Sequence, residues 1–327
     1  NRGPVTASVE KGVAAGISGS IYPTTRFEGT NANYGAISGT SQAAGIVTNC
    51  FGAELTGLVN GGTVTATGTV TYTQTNEGDS VTVDGPRAGG IVATIGNSGL
   101  TGGSLDGSTC SNTGNVSVPS ASESPFVGSL AGYVGIATVK NVEDAGAIGA
   151  VRVTGNDSYT TTLDRVQVDK LNVVAGHTQS FTYTLSLINS SSIGTVSVAG
   201  EVHTGMTLAI SGGEADTVTF EGITDHSNTG TNLSFAAVNG AQIGTVDTAD
   251  DSNKLTSGLY IAAVNGEDGE ASSIGQVRTG APVTVGFVHT ASVNSDGRAF
   301  ASTGTIGSVV TTNTSYTNNS TLEGNRG

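Results

Sequence analysis

Residues 191–198 read SSIGTVSV, and much the same octet returns as AQIGTVDT (241–248), SSIGQVRT (272–279) and GTIGSVVT (304–311). An earlier copy, GAIGAVRV, sits at 146–153. Aligned on Ile148, Ile193, Ile243, Ile274 and Ile306, every copy continues with glycine and carries valine three residues after the isoleucine. The position two before the isoleucine is always small. Apolar residues that recur every second position mark a strand. A glycine fixed at one point of each copy marks a corner, where φ is positive or another backbone comes too close for a side chain. Gly149, Gly194, Gly244, Gly275 and Gly307 are therefore expected to be structural corners.

The last two isoleucine intervals are 31 and 32 residues, and the earlier ones are 45 and 50. The longer intervals leave room for inserted loops or an unmarked coil. A second phrase, LSFAAVNG (233–240) and LYIAAVNG (259–266), repeats at 26 residues, and its VNG reads as a turn between two faces of a coil. One coil of 26–32 residues cannot bury its apolar side chains alone, but stacked coils align them in columns. Loops between stacked strands lengthen at little cost, because closure entropy grows only logarithmically. The expected fold is all-β, a parallel β-solenoid in the form of a right-handed β-helix. The alternative keeps a solenoid in the N-terminal half and adds a β-sandwich over 160–220, where QSFTYTLSLI (179–188) alternates cleanly.

Composition supports strands and limits partners. Of 327 residues, 50 are glycine, about double the usual ~7% share. Tryptophan is absent and charged residues make up 12%. No long window carries helical periodicity, whereas short Val/Ile/Thr/Tyr runs bounded by Gly, Asn, Asp and Ser recur throughout. The net charge of −14, with only 12 scattered Lys and Arg, argues against nucleic acid and against an anionic membrane surface. The longest apolar stretch, PFVGSLAGYVGIATV (125–139), is too short to span a membrane, so no membrane insertion is expected. No signal peptide is visible at Asn1, as expected of a mature, processed chain.

The N-terminal half uses another phrase: AAGIS (14–18), AAGIV (43–47), AGGIV (88–92) and LAGYV (130–134), with Gly16, Gly45, Gly90 and Gly132 aligned. The fullest copy runs AGGIVATIGNSGLTGGSLDGSTCSNTGNVSV (88–118). This stretch resembles the GLUG repeat of bacterial surface proteins, over about 12–135. The resemblance implies a β-solenoid in an adhesin-like secreted protein, and it brings no shared catalytic residues. The organisation expected is a GLUG-like half over 1–145, a second half with Ile-Gly-x-Val repeats over 146–311, and a polar tail over 312–327.

Candidate residues for chemistry are sparse. Asp247, Asp250 and Asp251 in DTADDSN offer hard oxygen ligands suited to calcium, against a plain reading as solvated turn residues. In LDRVQVDK (163–170), strand alternation puts Arg165 and Asp169 on one face and Asp164 and Lys170 on the other. Such carboxylate and arginine sets occur in β-helix polysaccharide lyases and glycoside hydrolases, and surface ion pairs are the simpler reading. His177, His203, His226 and His289 show no metal spacing, and stacking on a solvent face accounts for them. Cys50 and Cys110 occupy non-equivalent places and read as buried free thiols, with a disulfide across a loop as the alternative. Sequons stand at Asn115, Asn189, Asn232 and Asn313. The Thr-rich TVTATGTVTYTQT (63–75) does not recur at coil spacing, which speaks against an ice-binding array.

The expected function is a non-enzymatic structural or adhesive protein, extracellular at a microbial surface. Its expected partners are other copies of itself in a homopolymer, or a host or environmental glycan or surface. The chain opens with NRG and closes with NRG, and the end segments are expected to contact neighbouring subunits. The competing class is a carbohydrate-active β-helix enzyme.

Overall fold

The computed structural model describes residues 1–68, 71–75, 80–96, 102–119, 126–144, 146–153, 159–177, 181–202, 205–225, 232–248, 259–289, 298–311 and 316–318. They are all-β, without a helix, and their strands pair in long parallel sheets, as a parallel β-solenoid requires. Two separate two-stranded sheets interrupt the pattern: Thr71–Thr75 sits beside Ser80–Asp84, and Phe287–His289 pairs antiparallel with Arg298–Ala301. No helix among the described residues is long and apolar enough to cross a membrane.

The chain divides into two compact units. The first comprises Asn1–Thr73, Thr82–Arg152 and Thr161–Val174, and the second comprises Gln74–Val81, Val153–Thr160 and Ala175–Gly327. The main break thus falls near 174, so the Ile-Gly copy at 146–153 belongs largely with the first unit.

In the first unit a full coil visits five short parallel sheets. Sheet A stacks Val5, Ile37, Val64 and Val116. Sheet B stacks Ala14, Ala43, Ala88 and Val127. Sheet C stacks Ile21, Cys50, Ile95, Val134 and Val151. Sheet D stacks Leu55, Leu105, Val139 and Leu163. Sheet E stacks Asn33, Asn60 and Asn112. Up to Val142 the strands run only two to five residues, because every turn of the coil repeats the same columns. Most of these stacked apolar side chains are buried, each contributing roughly 1.5–3 kcal/mol when fully withdrawn from water.

The N-terminal phrase has a packing cause. A Cβ on Gly16 would lie 2.0 Å from the carbonyl oxygen of Gly45, and one on Gly45 would lie 2.0 Å from that of Gly90. The same atoms would also strike the side chains of Asn33 and Asn60. Glycine is thus the seat on which the sheet E asparagines rest. Gly132 does not continue this column: sheet C pairs Val92 with Ala131, which places Ser129 opposite Gly90. The letters of LAGYV match the phrase, but the register is three residues off.

The second unit has two long sheets facing each other. One holds Phe181–Ile188, Gly205–Ser211, Asn232–Val238, Leu259–Val264, Val283–Val285 and Tyr316–Asn318. The other holds Ser192–Val202, Glu214–Asp225, Gln242–Asp247, Ser273–Thr279 and Thr305–Thr311. Phe181–Ile188 pairs in parallel with Gly205–Ser211, which excludes an antiparallel sandwich over 160–220. Ile193, Ile243, Ile274 and Ile306 form one inward column, with Ala215 between the first two. The 50-residue interval therefore hides a complete coil, EADTVTF, in which alanine replaces the isoleucine and Asp216 the glycine. Phe220 of one sheet meets Phe235 of the other edge to face, with ring centroids 6.3 Å apart.

The glycines expected at corners lie inside strands. Gly149 is in Ile148–Val153, Gly194 in Ser192–Val202, Gly244 in Gln242–Asp247, Gly275 in Ser273–Thr279 and Gly307 in Thr305–Thr311. None has a positive φ. Of the two causes that fix a glycine, close approach applies: a Cβ on Gly275 would lie 2.7 Å from the Gly244 carbonyl oxygen, and one on Gly307 2.5 Å from that of Gly275. The corners proper come earlier. Asn189–Ser190 and Asn239–Gly240 are consecutive left-handed pairs, closed by Ser191 N donating to Ile188 O and Ala241 N to Val238 O. Positive φ at both central residues is the I′ turn pattern, which Asn and Gly tolerate best. The VNG at 238–240 is such a turn.

Candidate functional site

Two polar groupings stand out, one on sheet D and one on sheet E of the first unit. On sheet D, Asp106 pairs in register with Lys140, and Lys140 with Asp164. Asn141 and Arg165 follow them, and both take left-handed backbone angles, φ 53 and φ 54. Their side chains interlock: Asn141 Nδ2 donates to Asp106 Oδ1 at 2.8 Å, and Arg165 Nε donates to Asn141 Oδ1 at 2.6 Å. Arg165 also pairs with Asp164 at 3.2 Å. Ser108 adds its N–H and its hydroxyl to Asp106 Oδ1. Burial acts to raise the Asp106 carboxyl, but the hydrogen bonds from Asn141 and Ser108, with Lys140 nearby, outweigh it and hold it below the ordinary carboxylate range.

Arg165 and Asp169 share one exposed face, as expected, with Val166 and Val168 buried between them. The placement of Asp164 on the opposite face is corrected: the left-handed backbone at Arg165 breaks the alternation between Leu163 and Val166, and Asp164 pairs with Arg165. Asp169 and Lys170 are both exposed, five and six residues beyond Asp164. The sheet D group is a mutually satisfied surface network. A general acid needs a carboxyl with a raised pKa, and Asp106 is shifted the other way.

The calcium candidates divide. Asp247 ends the strand Gln242–Asp247 and pairs with Arg278, its register partner on the next coil, at 3.2 Å. Asp250 and Asp251 lie outside the described residues. Among the described residues, no three His, Cys, Asp or Glu side chains gather as metal ligands. His177 ends the strand Tyr159–His177 and His289 ends Phe287–His289, while His203 and His226 lie outside the described residues. Cys50 and Cys110 are free and buried. Cys50 donates to Ala53 O and Cys110 to Leu55 O, both across polar backbone. Burial pushes the Cys50 thiol up to about 11 and raises that of Cys110 as well, which leaves both as poor nucleophiles.

On sheet E runs a ladder of amides that sequence reading missed. Asn1 Nδ2 donates to Asn33 Oδ1 at 2.9 Å, Asn33 Nδ2 to Asn60 Oδ1 at 2.7 Å, and Asn60 Nδ2 to Asn112 Oδ1 at 2.6 Å. Each of the four also donates to the carbonyl of the glycine two residues on: Gly3, Gly35, Gly62 and Gly114. Asn33 and Asn60 are fully buried. The signal was present as Asn-x-Gly at 1–3, 33–35, 60–62 and 112–114, but its intervals of 32, 27 and 52 residues obscure it. The ladder has a direction, since each of its three rung-to-rung bonds runs from an amide on one coil to the carbonyl oxygen on the coil that follows.

Comparison of the chain with protein-family models, with curated proteins and with solved structures gives no match.

Proposed function

We propose that this chain is a non-enzymatic structural or adhesive protein, extracellular at a microbial surface, and that it self-assembles through the ends of its solenoid. The observation that carries this reading is the directional Asn-x-Gly ladder. It is a self-complementary device that repeats the same recognition from coil to coil. The resemblance of 88–118 to the GLUG repeat points the same way. The polar groups on sheet D bond to one another rather than to an open site. Parallel sheets with open edges are templates for further strands, and an interface that joins one end to the other builds filaments. Negative-stain electron microscopy of the purified protein, with a glycan array in parallel, tests the reading. Filaments or retained glycan establish it. A protein that stays monomeric, binds no glycan and cleaves a polysaccharide overturns it.

A further inference from the structure

Four segments of the first unit share one five-residue pattern, Asn-x-Gly-x-Val or -Ile: NRGPV (1–5), NYGAI (33–37), NGGTV (60–64) and NTGNV (112–116). Each runs from the position of sheet E into that of sheet A, and each hands three groups on to the next. The Asn Nδ2 donates to the next Asn Oδ1. The Asn carbonyl accepts a backbone N–H: Tyr34 N donates to Asn1 O at 2.9 Å, Gly61 N to Asn33 O at 2.7 Å and Thr113 N to Asn60 O at 2.8 Å. The Val or Ile N–H donates to the residue before the next aliphatic: Val5 N to Ala36 O at 2.9 Å, Ile37 N to Thr63 O at 2.8 Å and Val64 N to Asn115 O at 2.8 Å.

At the fourth segment this series stops, well inside the chain. Sheets B, C and D go on past it with Val127–Gly128, Ala131–Val134 and Thr138–Val142. Among the described residues, Ser111–Asn112 pairs only with Leu58–Asn60, and Val116–Ser117 only with Val64–Ala66. The three forward groups are here the second N–H of Asn112 Nδ2, the Asn112 carbonyl and the Val116 N–H. They meet no partner among the described residues. Thr113 and Asn115 are exposed, and Val116 and Val118 are only partly buried against the cluster that holds Ile37 and Val64. The edge thus repeats a surface that the protein pairs three times within itself.

We infer that this edge, Asn112–Val116, binds an extended peptide segment of a partner chain with the sequence Asn-x-Gly-x-Val or -Ile. Strand addition at a sheet edge draws affinity from main-chain hydrogen bonds and specificity from alternate side chains. Here the main-chain bonds are made by the Asn112 carbonyl and the Val116 N–H. Specificity comes from three positions. The partner's asparagine supplies the Oδ1 that accepts from Asn112 Nδ2. Its Val or Ile extends the column of Ile37, Val64 and Val116. Its glycine is obligatory. A Cβ on Gly35 would lie 1.9 Å from Gly3 O, one on Gly62 2.0 Å from Gly35 O and one on Gly114 1.9 Å from Gly62 O. The Gly114 carbonyl forbids a side chain at the same place in the incoming strand. The edge lies within the first unit, so it is independent of assembly through the ends of the solenoid.

The probe is a fluorescent peptide of residues 58–66, LVNGGTVTA, titrated with the full chain and read by anisotropy. Saturable binding tighter than about 1 mM is expected. Asn60→Leu and Gly62→Ala, made in the peptide alone, should each weaken binding about tenfold or more, the scale of one lost hydrogen bond. Neither change touches the fold of the protein. In the protein, Val116→Pro removes the forward N–H and puts a ring in the path of the incoming strand, as proline does on natural edges. It should weaken binding by at least the same factor. Absence of saturable binding to the wild-type chain overturns the proposal, as does equal binding of either altered peptide. A Val116→Pro protein that is folded by circular dichroism and binds the peptide as wild type does overturns it too. Where that variant does not fold, the two altered peptides decide.

Discussion

Asn33 donates its side-chain amide to Asn60 one coil further on, at 2.7 Å, and neither residue is exposed to solvent. A buried amide is costly unless its hydrogen-bonding groups are met. Here each amide also donates to the glycine carbonyl two residues on, so polar side chains fill a position where a solenoid more often stacks apolar ones. The pairing fixes register as well, because a slipped coil would leave the amides unpaired.

Asn60→Ala should therefore destabilise the first unit by more than its size suggests. It takes one partner from the Asn33 amide, which keeps Gly35 O, and one from Asn112 Oδ1, which keeps Gly114 N–H, and it leaves Gly62 O without its side-chain donor. Unsatisfied buried groups cost roughly 1–3 kcal/mol each, so a loss of about 2–4 kcal/mol is expected in urea unfolding. A loss below about 0.5 kcal/mol would show that the ladder is an accessory to the apolar columns.

Gly45→Ala should be among the most damaging single-methyl additions. Its Cβ would lie 2.0 Å from the Gly90 carbonyl oxygen and 2.3 Å from Asn60 Cγ, with backbone on one side that cannot swing away. Overpacking of this kind costs typically about 1–3 kcal/mol, and more where backbone must move. Circular dichroism melts of Gly45→Ala and Gly19→Ala make the comparison. A Cβ on Gly19 approaches only Thr48 Oγ1, at 4.0 Å, so that variant should melt within about a degree or two of wild type, as a surface change does.

The columns of the second unit were legible because Ile193, Ile243, Ile274 and Ile306 keep one letter at one register position. The coil between the first two escaped because Ala215 and Asp216 replace both letters of the phrase, and only Val218 and Phe220 preserve its alternation. Corner glycines were misplaced for a related reason. A recurring glycine shows that a side chain is forbidden, but not whether the cause is a turn or a neighbouring coil. At Gly275 and Gly307 the cause is the carbonyl of the coil before. The ladder stayed hidden because Asn-x-Gly is an ordinary turn signal in isolation. Only stacking, which local sequence does not reveal, converts it into a column.

The buried thiols predict an alkaline limit to stability. Cys50 has a folded value of about 11 against 9.0 for an unperturbed thiol, because burial disfavours the thiolate. Below pH 9 both states carry the proton and the contribution is constant. As pH rises from about 9 to about 11 the unfolded chain ionises first, so stability falls across that window. Cys50→Ala should flatten the decline measured by urea unfolding between pH 8.5 and 10.5, windows set by the ordinary thiol value. In the native protein at neutral pH both thiols should resist a thiol reagent that labels them within minutes in denaturant. Rapid native labelling would contradict the burial.

Asp106 predicts the opposite limit. Burial would raise its carboxyl, but donors from Asn141 and Ser108 favour the charged form and hold the folded value below 3.8. A lowered folded value gives stability that is present above pH 3.8 and lost as pH falls through the folded value. The effect is modest, because the group is only partly buried and solvent screens it. Asp106→Asn removes the charge and should flatten the acid limb of the stability curve while changing stability at pH 7 little. The same substitution should loosen Asn141, whose amide now faces a neutral acceptor, and through it Arg165 Nε at 2.6 Å. Carboxyl chemical shifts followed through the acid range decide the point. A midpoint for Asp106 above 3.8 would mean that burial, not the Asn141 and Ser108 donors, governs the group.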